Sequence, residues 1–354
     1  MPKVKGISHT LKPTCVGTGL IALDMVTNGD RGAAPRLWAG GSCGNVLTIL
    51  SYLGWNSYPV ARLGNEKAAK IIAKDMGGHG VDLQYISYDK SVNTPIILQR
   101  ILTTPDGIPT HRFYWVCPNC GNWLPRYRAI LLQEVRELDG DLPEMSCFYF
   151  DRVSASALYL AEKARDQGAL VVFEPATIKE DNNFEKAMSV CDVLKYSNEH
   201  MKNFDQFTYE SSAPIVIETL GAEGLRYRLR GNGKCNDWKL LSAFRVANLK
   251  DAAGAGDWCT AGVVDILIKG GATPLKKVSE TDIVEALRYG QALAALNCSF
   301  EGARGVMYGL DKKQFGDEVQ AILDRKEASK SVIDTFSPKV KKTAQCVCPA
   351  CQAL

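Results

Sequence analysis

The sequence predicts a three-layer α/β domain, with a central, mostly parallel sheet covered on both faces by helices. Two observations predict it. Apolar runs of strand length alternate with segments of helical period, the pattern of a parallel sheet with crossover helices. The alternation breaks once, at two strand-like runs joined by a turn. A chain of 354 residues that is 46% hydrophobic has the material for one large core.

In chain order, Cys15–Val26 reads as a strand. Asn45–Leu53 reads as a helix, with Val46, Ile49, Leu50 and Leu53 on one face. Ser57–Leu63 is a strand, and Glu66–Met76 a helix that stops at Gly77-Gly78. Pro95–Leu102 and Thr110–Val116 are strands joined through Thr104-Pro105-Asp106-Gly107, good turn chemistry. This hairpin, at about 93–116, reads either as a small β lid or as an ordinary edge hairpin. The alternation then resumes: strand Cys147–Asp151, helix Ala155–Gln167, strand Ala169–Phe173, helix Phe184–Cys191, then strands Val193–Tyr196 and Pro214–Thr219. The expected organisation is one domain over residues 1–325, with a cysteine-containing insertion at about 117–128. Residues 326–354, where periodicity is lost, form a tail.

Charge and hydropathy exclude some classes. A net charge of +3 gives no broad basic field for nucleic acid, and Lys339, Lys341 and Lys342 read as a solvated tail. No run approaches the ~18 apolar residues of a membrane span. The first residues, MPKVKGISHTLKP, lack the apolar segment of a secretory leader, so a cytoplasmic protein is expected, with its 12 cysteines mostly reduced.

The segment richest in chemistry is Asp251-Ala252-Ala253-Gly254-Ala255-Gly256-Asp257, followed by an apolar helical run and Gly270-Gly271. A glycine-rich turn that opens a helix points free N–H groups outward at the positive end of the helix dipole, which suits phosphate. Asp257 in that first turn is placed either to accept a proton from a hydroxyl or simply to cap the helix. The second segment, Gly40-Gly41-Ser42-Cys43-Gly44-Asn45, also precedes a helix. Asn45 there is either a contact for a hydroxyl-rich ligand or an N-cap.

Together and in this order, with Leu53-Gly54 and Arg62-Leu63-Gly64-Asn65-Glu66 between them, these segments resemble the two signatures of the PfkB, or ribokinase-like, carbohydrate kinases. The resemblance runs from about Val16 to Gly305. It implies a ribokinase-like fold and ATP-dependent phosphorylation of a hydroxyl on a sugar or sugar-like molecule, with Mg²⁺. It assigns Asp257 as the base and Gly254, Ala255 and Gly256 as the anion hole. Asp24, Gly41 and Asn45 become substrate contacts. Asn198, Thr219, Gly221, Gly224 and Asn297 become nucleotide contacts. The implied partners are the small-molecule substrate and ATP, with no nucleic acid and no membrane; a homodimer is among the assemblies it admits. The sequence departs from the family at Ala252, where threonine is usual, which leaves any monovalent-cation effect open. It departs again at Met201, which replaces the glutamate of Asn-x-x-Glu beginning at Asn198, with Glu199 as a neighbouring carboxylate. Glu174-Pro175-Ala176 lacks the Asp-x-Asn-x-Arg pattern of some sugar kinases, and Glu66 stands where aspartate is common.

Three other readings are weighed. A nucleoside kinase shares every motif above, and a non-catalytic binding protein on the same fold would explain Met201 and Ala252. Gly17-x-Gly19-x-x-Ala22 fits a dinucleotide fingerprint, but its apolar run ends too soon to be the helix that motif requires. Independently of the resemblance, Cys117-Pro118-Asn119-Cys120 and Cys348-Pro349-Ala350-Cys351 form two C-x-x-C knuckles, which predict a structural Cys₄ zinc site; a redox dithiol, a surface disulfide or two unrelated pairs are the alternatives.

Overall fold

The computed structural model describes residues 12–27, 35–103, 109–117, 120–178, 181–208, 211–231, 234–235, 237–246, 248–270 and 278–324. The predicted tail and its cysteines Cys346, Cys348 and Cys351 lie outside them.

The strands are β1 (Thr14–Thr18), β2 (Ala22–Thr27), β3 (Arg36–Gly40), β4 (Asn56–Pro59), β5 (Ala61–Leu63), β6 (Ile86–Tyr88), β7 (Ile96–Thr103), β8 (Pro109–Tyr114), β9 (Cys147–Phe150), β10 (Leu170–Phe173), β11 (Val193–Ser197), β12 (Ile215–Thr219), β13 (Gly224–Gly231), β14 (Lys234–Cys235) and β15 (Lys239–Ser242). The helices are α1 (Ser42–Tyr52), α2 (Lys67–Gly78), α3 (Leu132–Glu137), α4 (Ala155–Asp166), α5 (Asn182–Val190), α6 (Asp205–Thr208), α7 (Ala255–Lys269), α8 (Glu280–Asn297), α9 (Gly305–Gly309) and α10 (Lys312–Asp324).

The main sheet is nine-stranded in the order β14-β13-β12-β11-β10-β9-β1-β4, with β15 also on β13. It is parallel from β4 to β12, and β13 turns antiparallel at one edge. One apolar cluster fills the layer beside α1, α7 and α8, and a second, rich in phenylalanine, fills the layer beside α4 and α5. Parallel strands covered on both faces read as continuous apolar runs, which is why they were legible in the sequence.

The lid is larger than the predicted hairpin. A four-stranded sheet, β3-β2-β7-β8, includes β7 and β8 as expected but draws β2 and β3 from the N-terminal region. Cys15–Val26 is therefore not one strand. It breaks at Gly19, β1 staying in the main sheet while β2 leaves for the lid. Gly19 permits the break: a Cβ there would lie 1.7 Å from Asp151 Oδ1. Ser57–Leu63 likewise divides into β4 and β5, the latter pairing with β6.

Candidate active site

The functional side chains gather at the carboxyl ends of the parallel strands, the usual ligand-binding edge of an open α/β sheet. Along that edge come Asp151 after β9, Glu174 after β10, Asn198 after β11 and Thr219 at the end of β12. Helix α7 points its N-terminus at this row. Its N-cap is Gly254, in the left-handed region at φ 74°, and no side chain caps it. A side chain at Gly254 would also collide with the Ala303 carbonyl, 2.1 Å from its Cβ, so the turn requires glycine. The first-turn N–H groups of Gly256 and Asp257 have no carbonyl four residues back inside the helix.

Asp257 is buried, and the amide Nδ2 of Asn45 donates to its Oδ2 at 2.7 Å. The capping alternatives for both residues are thereby set aside. Helix α1 begins at Ser42 after Gly41, which puts Asn45 inside the helix rather than at its N-cap, and the Asp257 carboxylate takes that amide instead of capping α7. Burial, and then the nearby Glu174, push the Asp257 carboxyl up to about 8, opposed by Asn45 and Lys195. Sequence reasoning missed the pairing of Lys195 with Glu174. Lys195 Nζ meets Glu174 Oε1 at 2.5 Å, and Thr260 Oγ1 donates to Glu174 Oε2 at 2.7 Å. Burial pulls Lys195 down, but the Glu174 carboxylate more than offsets it and the ammonium titrates above its ordinary range. A lone lysine in an apolar strand was the only signal of the pair.

On the β1 side, Asp24 rises from the lid. It is buried beside Gly40, and its Oδ1 accepts no hydrogen bond among the described residues. Burial raises its carboxyl to about 7, against the pull of Arg304. The Asn45 Oδ1 is likewise without a donor. Gly41 lies against the Leu20 carbonyl. The floor and the lid are tied by Gln99 Nε2, which donates to Asp251 Oδ2 at 3.1 Å, while Asp251 accepts the Ala253 and Gly302 N–H groups at 2.9 and 3.0 Å and so braces the glycine turn.

On the β12 side, Thr219 leads into a turn in which Leu220 N donates to the Gly224 carbonyl at 2.8 Å, with Gly221 and Gly224 both at positive φ. Asn198 N donates to the Thr219 carbonyl at 3.1 Å, bringing the two strand ends together, and Asn198 Oδ1 is buried with no hydrogen bond among the described residues. Asn297 is fully buried. Its Nδ2 donates to the carbonyls of Ala253 and Ala303, both at 3.2 Å, and its Oδ1 accepts from Val306 N. The structure thus uses it to fasten α8 to the glycine turn. Cys117 is buried and Cys120 half-buried on a tight turn closed by Gly121 N to the Cys117 carbonyl at 2.9 Å. Among the described residues no group of three or more metal-ligating side chains assembles, and the other predicted ligands, Cys348 and Cys351, lie outside them.

No protein-family model matches the chain. Among curated proteins it is 23% identical over 321 residues to a probable chloroplastic fructokinase-6 of Arabidopsis thaliana, covering 82% of this chain and 78% of that protein. Among solved structures it is similar to a Xylella fastidiosa fructokinase with bound ATP, at 19% identity and a TM-score of 0.66, covering 88% of this chain and 98% of the other. It is similar also to an Arabidopsis thaliana ribokinase complexed with ribose and ATP, at 19% identity and a TM-score of 0.62, covering 89% and 100%. The fold is ribokinase-like, as in these two sugar kinases. On this fold the sequence departures acquire positions. Met201 is buried in the phenylalanine-rich cluster. Glu199 instead lies at the Thr219–Gly224 turn, where a Cβ on Gly221 would come within 3.8 Å of its Oε1. No helix among the described residues is long and apolar enough to cross a membrane.

Proposed function

We propose that this protein transfers a phosphoryl group from ATP to a hydroxyl of a sugar or sugar-like molecule, with Asp257 as the general base. The observation that carries the reading is the 2.7 Å contact between Asn45 and Asp257. It joins two motifs 212 residues apart at the open N-terminus of a helix. Phosphoryl transfer demands positioning and charge stabilisation more than covalent chemistry. The N–H groups of the first turn of α7 receive the transferred phosphoryl oxygens, and Asp257 takes the proton of the attacking hydroxyl. Asp24 and Asn45, each with an unpaired buried oxygen, bind the acceptor's hydroxyl groups. The Thr219–Gly224 turn cradles the nucleotide phosphates.

The donors present also fit Mg²⁺. Asn198 Oδ1 is unpaired, and Glu199 brings a carboxylate to the same turn. Bound there, the ion would neutralise charge on the ATP phosphates. The test is ADP formation across a panel of sugars and nucleosides, with Asp257→Ala as the control. A panel in which wild type and variant release ADP equally would end the reading. A nucleoside acceptor is the second reading, favoured by the aromatic walls, Trp115, Trp123 and Tyr127, of the cavity beside Leu20. The same panel separates it.

A zinc site built from Cys117, Cys120, Cys348 and Cys351 remains a separate proposal. Four thiolates would close a tetrahedral shell and leave the metal structural. Elemental analysis of chelator-free protein should find about one zinc per chain, lost in Cys117→Ser; absence of zinc would remove the site.

A further inference from the structure

A cavity of about 410 Å³ opens beside the site, between the lid and the ends of β1 and β9. Leu20, Ile97, Trp115, Trp123, Arg126 and Arg152 are among the residues that line it. It belongs to the acceptor side. Leu20 lies against Gly41, its carbonyl accepts Gly44 N at the start of α1, and Ile97 is the register partner of Asp24 in the lid. The nucleotide turn follows β12, four strand spacings away from β1, or about 19 Å.

The charge of the lining is one-sided. It contains two guanidinium groups and, among the described residues, no carboxylate. Asp151 lies behind it, buried, accepting Leu20 N at 2.8 Å and Arg152 Nη1 at 3.0 Å. Arg152 is thereby oriented, with its remaining N–H groups uncommitted to Asp151. Arg126 is stacked over the Trp123 ring at 4.5 Å. Stacking occupies the face of a guanidinium and leaves its in-plane N–H donors for a ligand. Two forked donors lining one aromatic-walled cavity beside the β-strand that carries Asp24 are suited to a planar or tetrahedral oxyanion.

We infer that the acceptor carries a negatively charged group, a carboxylate or a phosphate, at the end remote from the reacting hydroxyl, and that Arg126 and Arg152 bind it. This rests on the kinase reading above and narrows its substrate class. Asp24 and Asn45 would then hold the hydroxyl-bearing end while the arginines hold the anion, which fixes the length and polarity of the molecule between them.

The experiment pairs charged probes with neutral ones: gluconate and fructose 6-phosphate against glucose and fructose, with ATP and Mg²⁺. It follows ADP release, and calorimetric binding to the full chain carrying Asp257→Asn. At least one charged probe is expected to bind about 10- to 100-fold more tightly than its neutral partner, as hydrogen bonds to a charged group allow. Arg126→Gln should remove most of that preference by raising KM or Kd, with little change in kcat. Gluconate winning identifies a carboxylate acceptor, and fructose 6-phosphate winning a phosphorylated one. Binding that favours the charged probe and depends on Arg126, without ADP release, would uphold this inference while failing the kinase reading. Preference for the neutral sugars, charged-probe binding unchanged in Arg126→Gln, or no binding of either charged probe would overturn it.

Discussion

Lys195 Nζ and Glu174 Oε1 lie 2.5 Å apart beneath Gly256, with the lysine side chain only 2% exposed. The pair sits under the glycine turn and acts on Asp257 with opposite signs: Glu174 raises its carboxyl and Lys195 lowers it. Glu174→Gln should therefore shift the rise of the pH–rate profile to lower pH, and Lys195→Met should shift it higher. Each single change also strands a buried charge, at about 3–5 kcal/mol in denaturant unfolding. Replacing both residues by leucine should cost less than the two singles together. Profiles that do not move in opposite directions would show that the pair does not tune the base.

Asp257→Asn should lower kcat by roughly 10²–10⁴ while keeping the fold. It should also change the pH dependence of stability. The folded carboxyl titrates near 8, above its unfolded value of about 3.9. The wild-type protein therefore loses stability from this group as pH rises from about 4 to 8, by at most about 1.4 kcal/mol per pH unit. The asparagine variant has no such loss, so its melting temperature relative to wild type should climb across that window. Parallel curves would mean that the Asp257 carboxyl titrates normally.

Much of this was legible because the chemistry sits in local motifs. Gly254-Ala255-Gly256-Asp257 and Gly40–Asn45 each depend on backbone conformation, which glycine spacing reports directly. Glu174 and Lys195 were not legible as a pair, since they come from neighbouring strands and only the sheet register brings them together. The lid was read at half its size for a similar reason. An unbroken apolar run from Cys15 to Val26 carries no mark of changing sheets except Gly19, which had seemed only part of a rejected fingerprint. Strand β13 did announce itself, with Leu225, Tyr227 and Leu229 alternating with Arg226, Arg228 and Arg230, but that period-2 pattern went unread.

Glu199 should carry the divalent-ion dependence that Met201 does not. Calorimetric titration of wild type should show tighter ATP binding with Mg²⁺ than without it. Glu199→Gln should lose about tenfold or more of that gain, as removal of a supporting carboxylate commonly does. Met201→Glu, which would restore the family's residue type, should instead destabilise the protein, because the position is sealed among aromatic rings. An unchanged Mg²⁺ effect in Glu199→Gln would assign the ion elsewhere.

The sheet over the site is better described as a wall than as a flap. The face turned away from the active site contributes Leu23, Met25, Ala39, Ile96 and Leu98 to the same apolar cluster that holds α1 and α7. Swinging the whole sheet outward would expose those side chains at roughly 1.5–3 kcal/mol for each large one. Gln99 and Arg304 add polar ties, to Asp251 and to the Ala39 carbonyl. On the proposed kinase reading, the acceptor enters past the rim, where Trp115 and Trp123 are exposed and line the cavity.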